Sequence, residues 1–359
     1  TRKIIGALLW LSGQAVGGGL FLLIIILLPL LSADPMGTFA AMAVGAVIAF
    51  PAMVVYLTFP RLLDRYAPEP WYALLLALTW GGFAACGFSA LINSVVGAFG
   101  STGEMLSVVI SAPFVEEFFK GLMVLGVFYF LKQEFDGVVD GIIYATFTAI
   151  GFAATENVIY YAESLHGGSV FDLAMTVFIR GFLGPWGHPL YTSMTGIGLG
   201  LARESENKFI RVVAPFIGYG CAVFLHMLWN GTAFFAGEVF LFLLPLWFLF
   251  VAAFVVMVLV LVARRGRIIR AHLIDEVALR HISQAELDYT VSMFGGFTAF
   301  FRRGRKGAEL VRAIARLGLS KWHTARAMRG QNRTVSMDFI IPLRGRIAEL
   351  RAEGASPVG

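Results

Sequence analysis

Long apolar runs broken by short polar connections dominate the first three quarters of the chain. Eight such segments stand near 4–31, 37–59, 71–99, 104–131, 138–163, 171–201, 209–235 and 239–263. Each is close to or above the roughly 20 residues that a helix needs to cross a bilayer. The basic residues between them alternate. Arg2 and Lys3 precede the first run, Arg61 and Arg65 follow the second, and Lys132 follows the fourth. Arg203, Lys208 and Arg211 follow the sixth, and Arg264, Arg265, Arg267 and Arg270 follow the eighth. The other four connections carry no Lys or Arg. One alternating topology places every basic connection inside, with both termini cytoplasmic. The expected fold is an all-α polytopic membrane protein of about eight transmembrane helices, residues 1–263, followed by a short helical cytoplasmic tail, residues 264–359. The first apolar run is too long for a signal-peptide core of about 7–15 residues.

Composition narrows the class. Of 359 residues 58% are hydrophobic and 14% charged, with a mean hydropathy of +0.77. That excludes an ordinary soluble enzyme and a disordered chain. The long unalternating runs exclude an outer-membrane barrel. Charge is split along the chain: residues 1–263 hold 10 Lys and Arg against 15 Asp and Glu, and residues 264–359 hold 18 against 8. A tail of net +10 suits anionic lipid at a membrane surface. It shows no DNA-binding motif and no aromatic stacking platform, which sets nucleic acid aside. Ser283-Gln284-Ala285-Glu286 has the capping-box form of a helix start. Leu310, Ile314 and Leu317 recur at helical spacing, so two or three short amphipathic helices are expected, with a frayed end over 354–359. Cys86 and Cys221 lie in apolar runs and read as small hydrophobes, with no zinc-type spacing or disulfide framework.

Ionisable residues within the apolar runs are the candidate chemistry, because each is costly at membrane depth. Four clusters stand out. The fourth run holds Glu116-Glu117-Phe118-Phe119-Lys120, with Glu116 and Lys120 one turn apart and able to pair. Two adjacent carboxylates are harder to explain as packing than a single ion pair. The fifth run holds Glu156 and Asn157, and Glu156 has no basic neighbour within four residues, so it needs a partner from another helix. Gly151 and the small residues beside it permit close helix contact. In the sixth run Pro185 and Pro189 bracket His188, with Thr192 one turn on. Arg180, two turns earlier, is either a snorkelling side chain or a counter-ion. In the seventh, His226 and Asn230 share one helix face. Interhelical hydrogen bonding would account for any one cluster. Four clusters on four consecutive runs, at depths within about 13 Å of each other at 1.5 Å per residue, point to one site.

The residue types favour hydrolysis by water. No Ser–His or Cys–His pair, no His-Glu-x-x-His and no Gly-x-Gly-Asp pattern is present; Ser193 is off the His188 face. Carboxylates and imidazoles remain. In one version His188 and His226, with a Glu such as Glu116, hold a zinc ion that activates water. In the other Glu116 alone activates water, and His226 with Asn230 stabilises the oxyanion. Two non-catalytic readings compete. Glu, Lys and His in spans suit a proton-coupled transporter, although no inverted repeat is visible. A membrane scaffold would scatter its polar residues, whereas here they concentrate in runs four to seven.

Glu-Glu-x-x-Lys, Phe-x-x-x-Glu-Asn, His-x-x-x-Thr and His-x-x-x-Asn, in that order, resemble the motifs of the PrsW family of bacterial intramembrane proteases, relatives of the CAAX-protease and bacteriocin-immunity (CPBP) superfamily. The resemblance implies peptide-bond hydrolysis in or beside the bacterial inner membrane, on a single-span membrane protein such as an anti-sigma factor. It implies Glu116 and Glu117 as the paired glutamates, the first as general base. Glu156 stands where many CAAX-protease relatives have His. His188 matches the third-motif histidine, and His226 with Asn230 the last motif. Lys120, Asn157 and Thr192 complete the motifs as supporting residues. The family is often labelled metalloprotease, which keeps zinc open as a cofactor. The motifs do not extend into the tail.

Overall fold

A computed structural model describes residues 2–235, 240–329 and 335–358. Among these the chain is helical, with no strand. Val239, where the eighth run was expected to begin, and Gly359 lie outside the described residues.

Helices α1 (Arg2–Leu30), α2 (Pro35–Leu63) and α3 (Trp71–Gly97) come first. Then α4 runs over 100–130, α5 is Val138–His166, and the sixth run is split into α6 (170–183) and α7 (Gly187–Glu204). Next are α8 (Lys208–Phe235) and α9 (Phe240–Ala271). Six of the eight expected runs are helices long and apolar enough to cross a membrane: α1, α2, α3, α5, α8 and the α9 segment. The other two carry part of the candidate site. α4 carries Glu116, Glu117 and Lys120, and the sixth run breaks at Gly184–Trp186. The chain is an all-α multi-pass membrane protein.

The chain divides into two compact units, 1–60 with 70–254, and 61–69 with 255–359. In the first, α5 is the central helix. Every residue from Val138 to Phe152 is buried, as a helix apolar on all sides requires. Small residues let neighbours close on it. A Cβ at Gly81 would overlap the Thr148 carbonyl, and one at Gly151 the Leu78 carbonyl, so α3 and α5 meet backbone to backbone. Gly141 and Gly196 do the same for α5 and α7. Cys86 is buried, whereas Cys221 is exposed on α8.

π turns offset three of these helices, at Trp80–Ala85 in α3, Ser107–Ser111 in α4 and Val177–Leu183 in α6. The α4 offset has a local cause. Ala112 N–H bonds to Ser107 O, and Pro113 has no N–H, so the Val108 carbonyl has no partner along its own helix. Pro185 acts similarly on the sixth run: it ends the helix, and the Gly181 carbonyl one turn back accepts Tyr56 OH from α2 instead. Pro189 falls in the first turn of α7, where a missing N–H is tolerated.

The second unit contains α10 (Ile274–Ala278), α11 (Gln284–Val291), α12 (Gly295–Arg329) and α13 (Ile340–Ala352). The Ser283–Glu286 capping box forms, with Ser283 Oγ accepting Glu286 N–H at 3.1 Å. Leu310, Ile314 and Leu317 are buried on α12, which is longer than the short helices expected and kinks at Gly304. Glu276 is fully buried and is held by Arg344, Lys321 and His281. Tyr66, from the α2–α3 connection, donates to Val291 O at 3.3 Å. The expected fraying of the end is not observed over 354–358. Ala355 is 1% exposed, Arg303 Nε donates to Ser356 O at 3.0 Å, and Lys306 pairs with Glu353 at 2.9 Å. The Lys306 ammonium holds the Glu353 carboxyl below its usual range.

Candidate active site

α4, α5, α7 and α8 bring the four sequence clusters together. Ligand-capable atoms of Glu116, His188 and His226 all lie within 4.8 Å of one another. The His188 and His226 rings are 5.0 Å apart, edge to face. The scaffold reading expected scattered polar residues; these share one centre instead.

The adjacent glutamates have different surroundings. Glu117 is fully buried and saturated: Lys120 Nζ lies 2.6 Å from Oε1, His226 Nδ1 3.0 Å from the same oxygen, and Thr192 Oγ1 donates to Oε2 at 2.8 Å. Glu116 is almost unpartnered. Lys120 Nζ is 3.8 Å from its Oε2 and His226 Nε2 is 3.9 Å away, and that buried oxygen makes no hydrogen bond. The expected Glu116–Lys120 pair is present at 3.8 Å, and a closer Glu117–Lys120 pair at 2.6 Å stands beside it. The spacing of three residues also puts these two on one face, and Thr192 and His226 fix Glu117 at the position the ammonium reaches.

Lys120 is 0% exposed and, apart from the long contact to Glu116, has three partners. Besides Glu117 it meets His188 Nδ1 at 3.0 Å and lies over the Phe152 ring, 4.4 Å from its centroid. An ammonium only donates, so His188 Nδ1 accepts. His188 Nε2 then donates to Glu156 Oε2 at 3.0 Å. Glu156 finds its basic partner on α6: Arg180 Nη2 is 2.5 Å from the same oxygen, and Arg180 Nε donates to Asn157 Oδ1 at 2.8 Å. Arg180 is therefore a counter-ion, clamped further by the Tyr160 ring at 3.7 Å.

His226 donates Nδ1–H to Glu117, which leaves its Nε2 lone pair facing Glu116. Asn230 spends one amide N–H on the Val108 carbonyl at 2.9 Å, the group left unpaired by the α4 π turn. Ser193 donates to Pro189 O at 2.6 Å, a bond within its own helix. Sequence reasoning missed Tyr191. Its ring stacks on His226 at 4.9 Å, and its buried hydroxyl has no hydrogen-bond partner. Nothing in an apolar run marks a Tyr as part of a site. A cavity of about 170 Å³ is lined by Glu156, His188, Tyr191, His226, Trp229 and Asn230 among others.

The donor set fits a metal ion. One carboxylate with two imidazoles is a common catalytic zinc combination. Glu116 Oε2 makes no hydrogen bond, and His226 has the carboxylate on its far nitrogen that orients a metal-binding imidazole. His188 has both nitrogens engaged and would give up its Lys120 contact to bind.

Among the described residues, carboxylates and imidazoles, most of them buried, gather in one centre of a multi-pass membrane protein, the residue types of a membrane-embedded hydrolase. Residues 69–263 match the family described as PrsW family intramembrane metalloprotease. The chain belongs to this family, and it is a peptidase. It is similar to Protease PrsW of Oceanobacillus iheyensis, at 24% identity over 180 residues covering 49% of this chain and 79% of that protein. It is also similar to Protease PrsW of Geobacillus kaustophilus, at 28% over 200 residues, 54% and 83% of the two chains. The Clostridioides difficile Protease PrsW is 28% identical over 180 residues, 47% of this chain and 73% of that one. No solved structure matches.

Proposed function

We propose that this chain cleaves a peptide bond of a single-span membrane protein, an anti-sigma-factor-like regulator by resemblance, with Glu116 as the base that takes a proton from water. The observation that carries this reading is that Glu116 Oε2 makes no hydrogen bond and has only long contacts to Lys120 and His226, beside a Glu117 whose oxygens are both committed. A buried carboxylate oxygen without a partner is costly unless it has work to do. Glu117, Lys120 and Thr192 hold the site together, and Glu156 with Asn157 and Arg180 orients His188. With Nδ1–H on Glu117, His226 offers a lone pair, so it suits a ligand or acceptor role better than an oxyanion donor. The remaining Asn230 N–H and the Tyr191 hydroxyl are the donors suited to a developing oxyanion.

Glu116, His188 and His226 would hold a zinc ion, in which case Glu116 would serve as a ligand and the ion would take over the activation of water. When bound, it would supply a water whose pKa is lowered towards 7. The proposed setting is a bacterial plasma membrane with both termini cytoplasmic, residues 1–263 as the protease body and 264–359 as a basic tail on anionic lipid. In the test, a single-span substrate is co-expressed with the wild type and with Glu116→Gln. Cleavage should fall by about 10²–10⁴, the usual worth of a general base, while the variant inserts and extracts normally. Full cleavage by Glu116→Gln would end the base assignment, and a wild type that cuts no membrane protein would move a proton-coupled transporter ahead.

A further inference from the structure

We propose that two linked cavities form a water path that ends on Glu116; the inference rests on the hydrolytic reading above, which gives such water its use. The inner cavity, about 250 Å³, is lined among others by Ser89, Asn93, Ser107, Glu116, Thr155 and Glu163. Two buried polar atoms of its wall have no hydrogen-bond partner, Glu116 Oε2 and Ser89 Oγ, on residues 5% and 2% exposed. Unpaired buried polar groups on residues that line one roomy cavity, with Asn93, Ser107 and Thr155 as polar neighbours in an otherwise largely apolar wall, are what buried water satisfies. The α4 π turn places Ser107 in the same wall, where its Oγ donates to Asn93 O at 2.8 Å.

The outer cavity, about 370 Å³, is lined by Ser32, Thr38, Ile159, Glu163 and His166 among others. Ile159 and Glu163 line both cavities, so they form the neck between them. Ser32 belongs to the α1–α2 connection and His166 is the last residue of α5, so the outer cavity lies at helix ends. Both adjoining connections are free of Lys and Arg. Glu156, Tyr160 and Asn230 line both the inner cavity and the cavity of His188 and His226. Water thus reaches Glu116 from one side of this wall, which leaves the other side for the peptide.

The test uses the full-length protein in vesicles, with Cys86→Ala and Cys221→Ser as background. Ser89→Cys should react with a charged, membrane-impermeant methanethiosulfonate. Adding Ile159→Trp at the neck should slow that labelling about tenfold and lower kcat about tenfold with KM unchanged. A Ser89→Cys thiol inert to the charged reagent but labelled by a neutral, lipid-soluble maleimide would mean a dry cavity and overturn the proposal. Labelling untouched by Ile159→Trp would overturn the route. If Ser89→Cys fails to fold, native Cys86, which lines the same cavity, replaces it in the Cys221→Ser protein. Labelling needs no turnover, so a wild type that cuts nothing would remove the hydrolytic reading while the labelling still decides the path.

Discussion

Glu117 Oε1 and His226 Nδ1 meet at 3.0 Å, and this contact decides which nitrogen of His226 faces Glu116. The carboxylate accepts the Nδ1 proton, so Nε2 is left as a lone pair on the reactive side. The same Glu117 oxygen receives Lys120 at 2.6 Å. One carboxylate thus neutralises the buried lysine and orients the imidazole, and its sequence neighbour Glu116 is left with an oxygen that makes no hydrogen bond.

Glu117→Gln tests this division of labour. The amide cannot accept from Lys120, His226 and Thr192 at once, so Lys120 loses its close anion. Breaking a buried pair costs roughly 3–5 kcal/mol, and losing the partner behind an active imidazole costs about 10–100-fold in activity. Thermal unfolding in detergent should therefore drop for Glu117→Gln and hold for Glu116→Gln, although both lose cleavage. Equal stability of the two variants would contradict separate roles.

Arg180 bridges α6 to the site. Arg180→Ala should leave Glu156 without its cation and free His188 to rotate. The pair is partly exposed, with side chains 27% and 20% accessible, so the loss belongs at or below the lower end of the roughly 3–5 kcal/mol for a broken buried pair. Glu156→Gln with Arg180→Gln removes both charges and should recover much of the stability. It should not recover cleavage, because His188 still lacks its carboxylate. Melting temperature and turnover, measured on the same preparations, separate the two effects; recovered cleavage in the double variant would make the pair purely structural.

Much of this arrangement is legible in hydropathy and local spacing. The runs at α1, α2, α3, α5, α8 and α9 are apolar enough to be read directly, and the charges of α4 and the break at Gly184–Trp186 mark the site by spoiling that pattern. The Ser283 cap is local and therefore readable. Partners distant in sequence are not: Glu156 meets Arg180 from 24 residues away, and Glu117 meets His226 from 109. Which of two adjacent glutamates is spent depends on Thr192 and His226, and no spacing rule encodes that. Tyr191 looks like any aromatic residue of an apolar run. The docked end at Ser356 depends on Arg303 from the start of α12.

The tail offers an ionic test. Arg302, Arg303, Arg305 and Lys306 are exposed beside the exposed rings of Phe297, Phe300 and Phe301. Each basic residue near an anionic surface contributes about 1 kcal/mol at low salt. A fluorophore at position 301 of the full-length protein should be quenched by brominated anionic lipid, and less so as salt rises. Replacing the four basic residues by Gln should weaken the quenching. Quenching that ignores both salt and these substitutions would leave the tail as a soluble cap.

The metal question separates by removal and return. The family is described as metalloprotease, and Glu116, His188 and His226 supply a suitable donor set. A strong chelator should abolish cleavage by the purified protein, and zinc should restore it. Metal content measured by mass spectrometry should fall with His226→Ala, which removes a lone pair that nothing nearby replaces. Glu156→Gln leaves all three donors but removes the carboxylate from His188 Nε2. It should weaken metal affinity about 10–100-fold, so that activity returns at higher zinc. His226→Ala should not be rescued at any zinc concentration. Cleavage that survives chelation with no bound metal would instead mean that Glu116 works on water alone, and the effect of Glu156→Gln would then be independent of zinc.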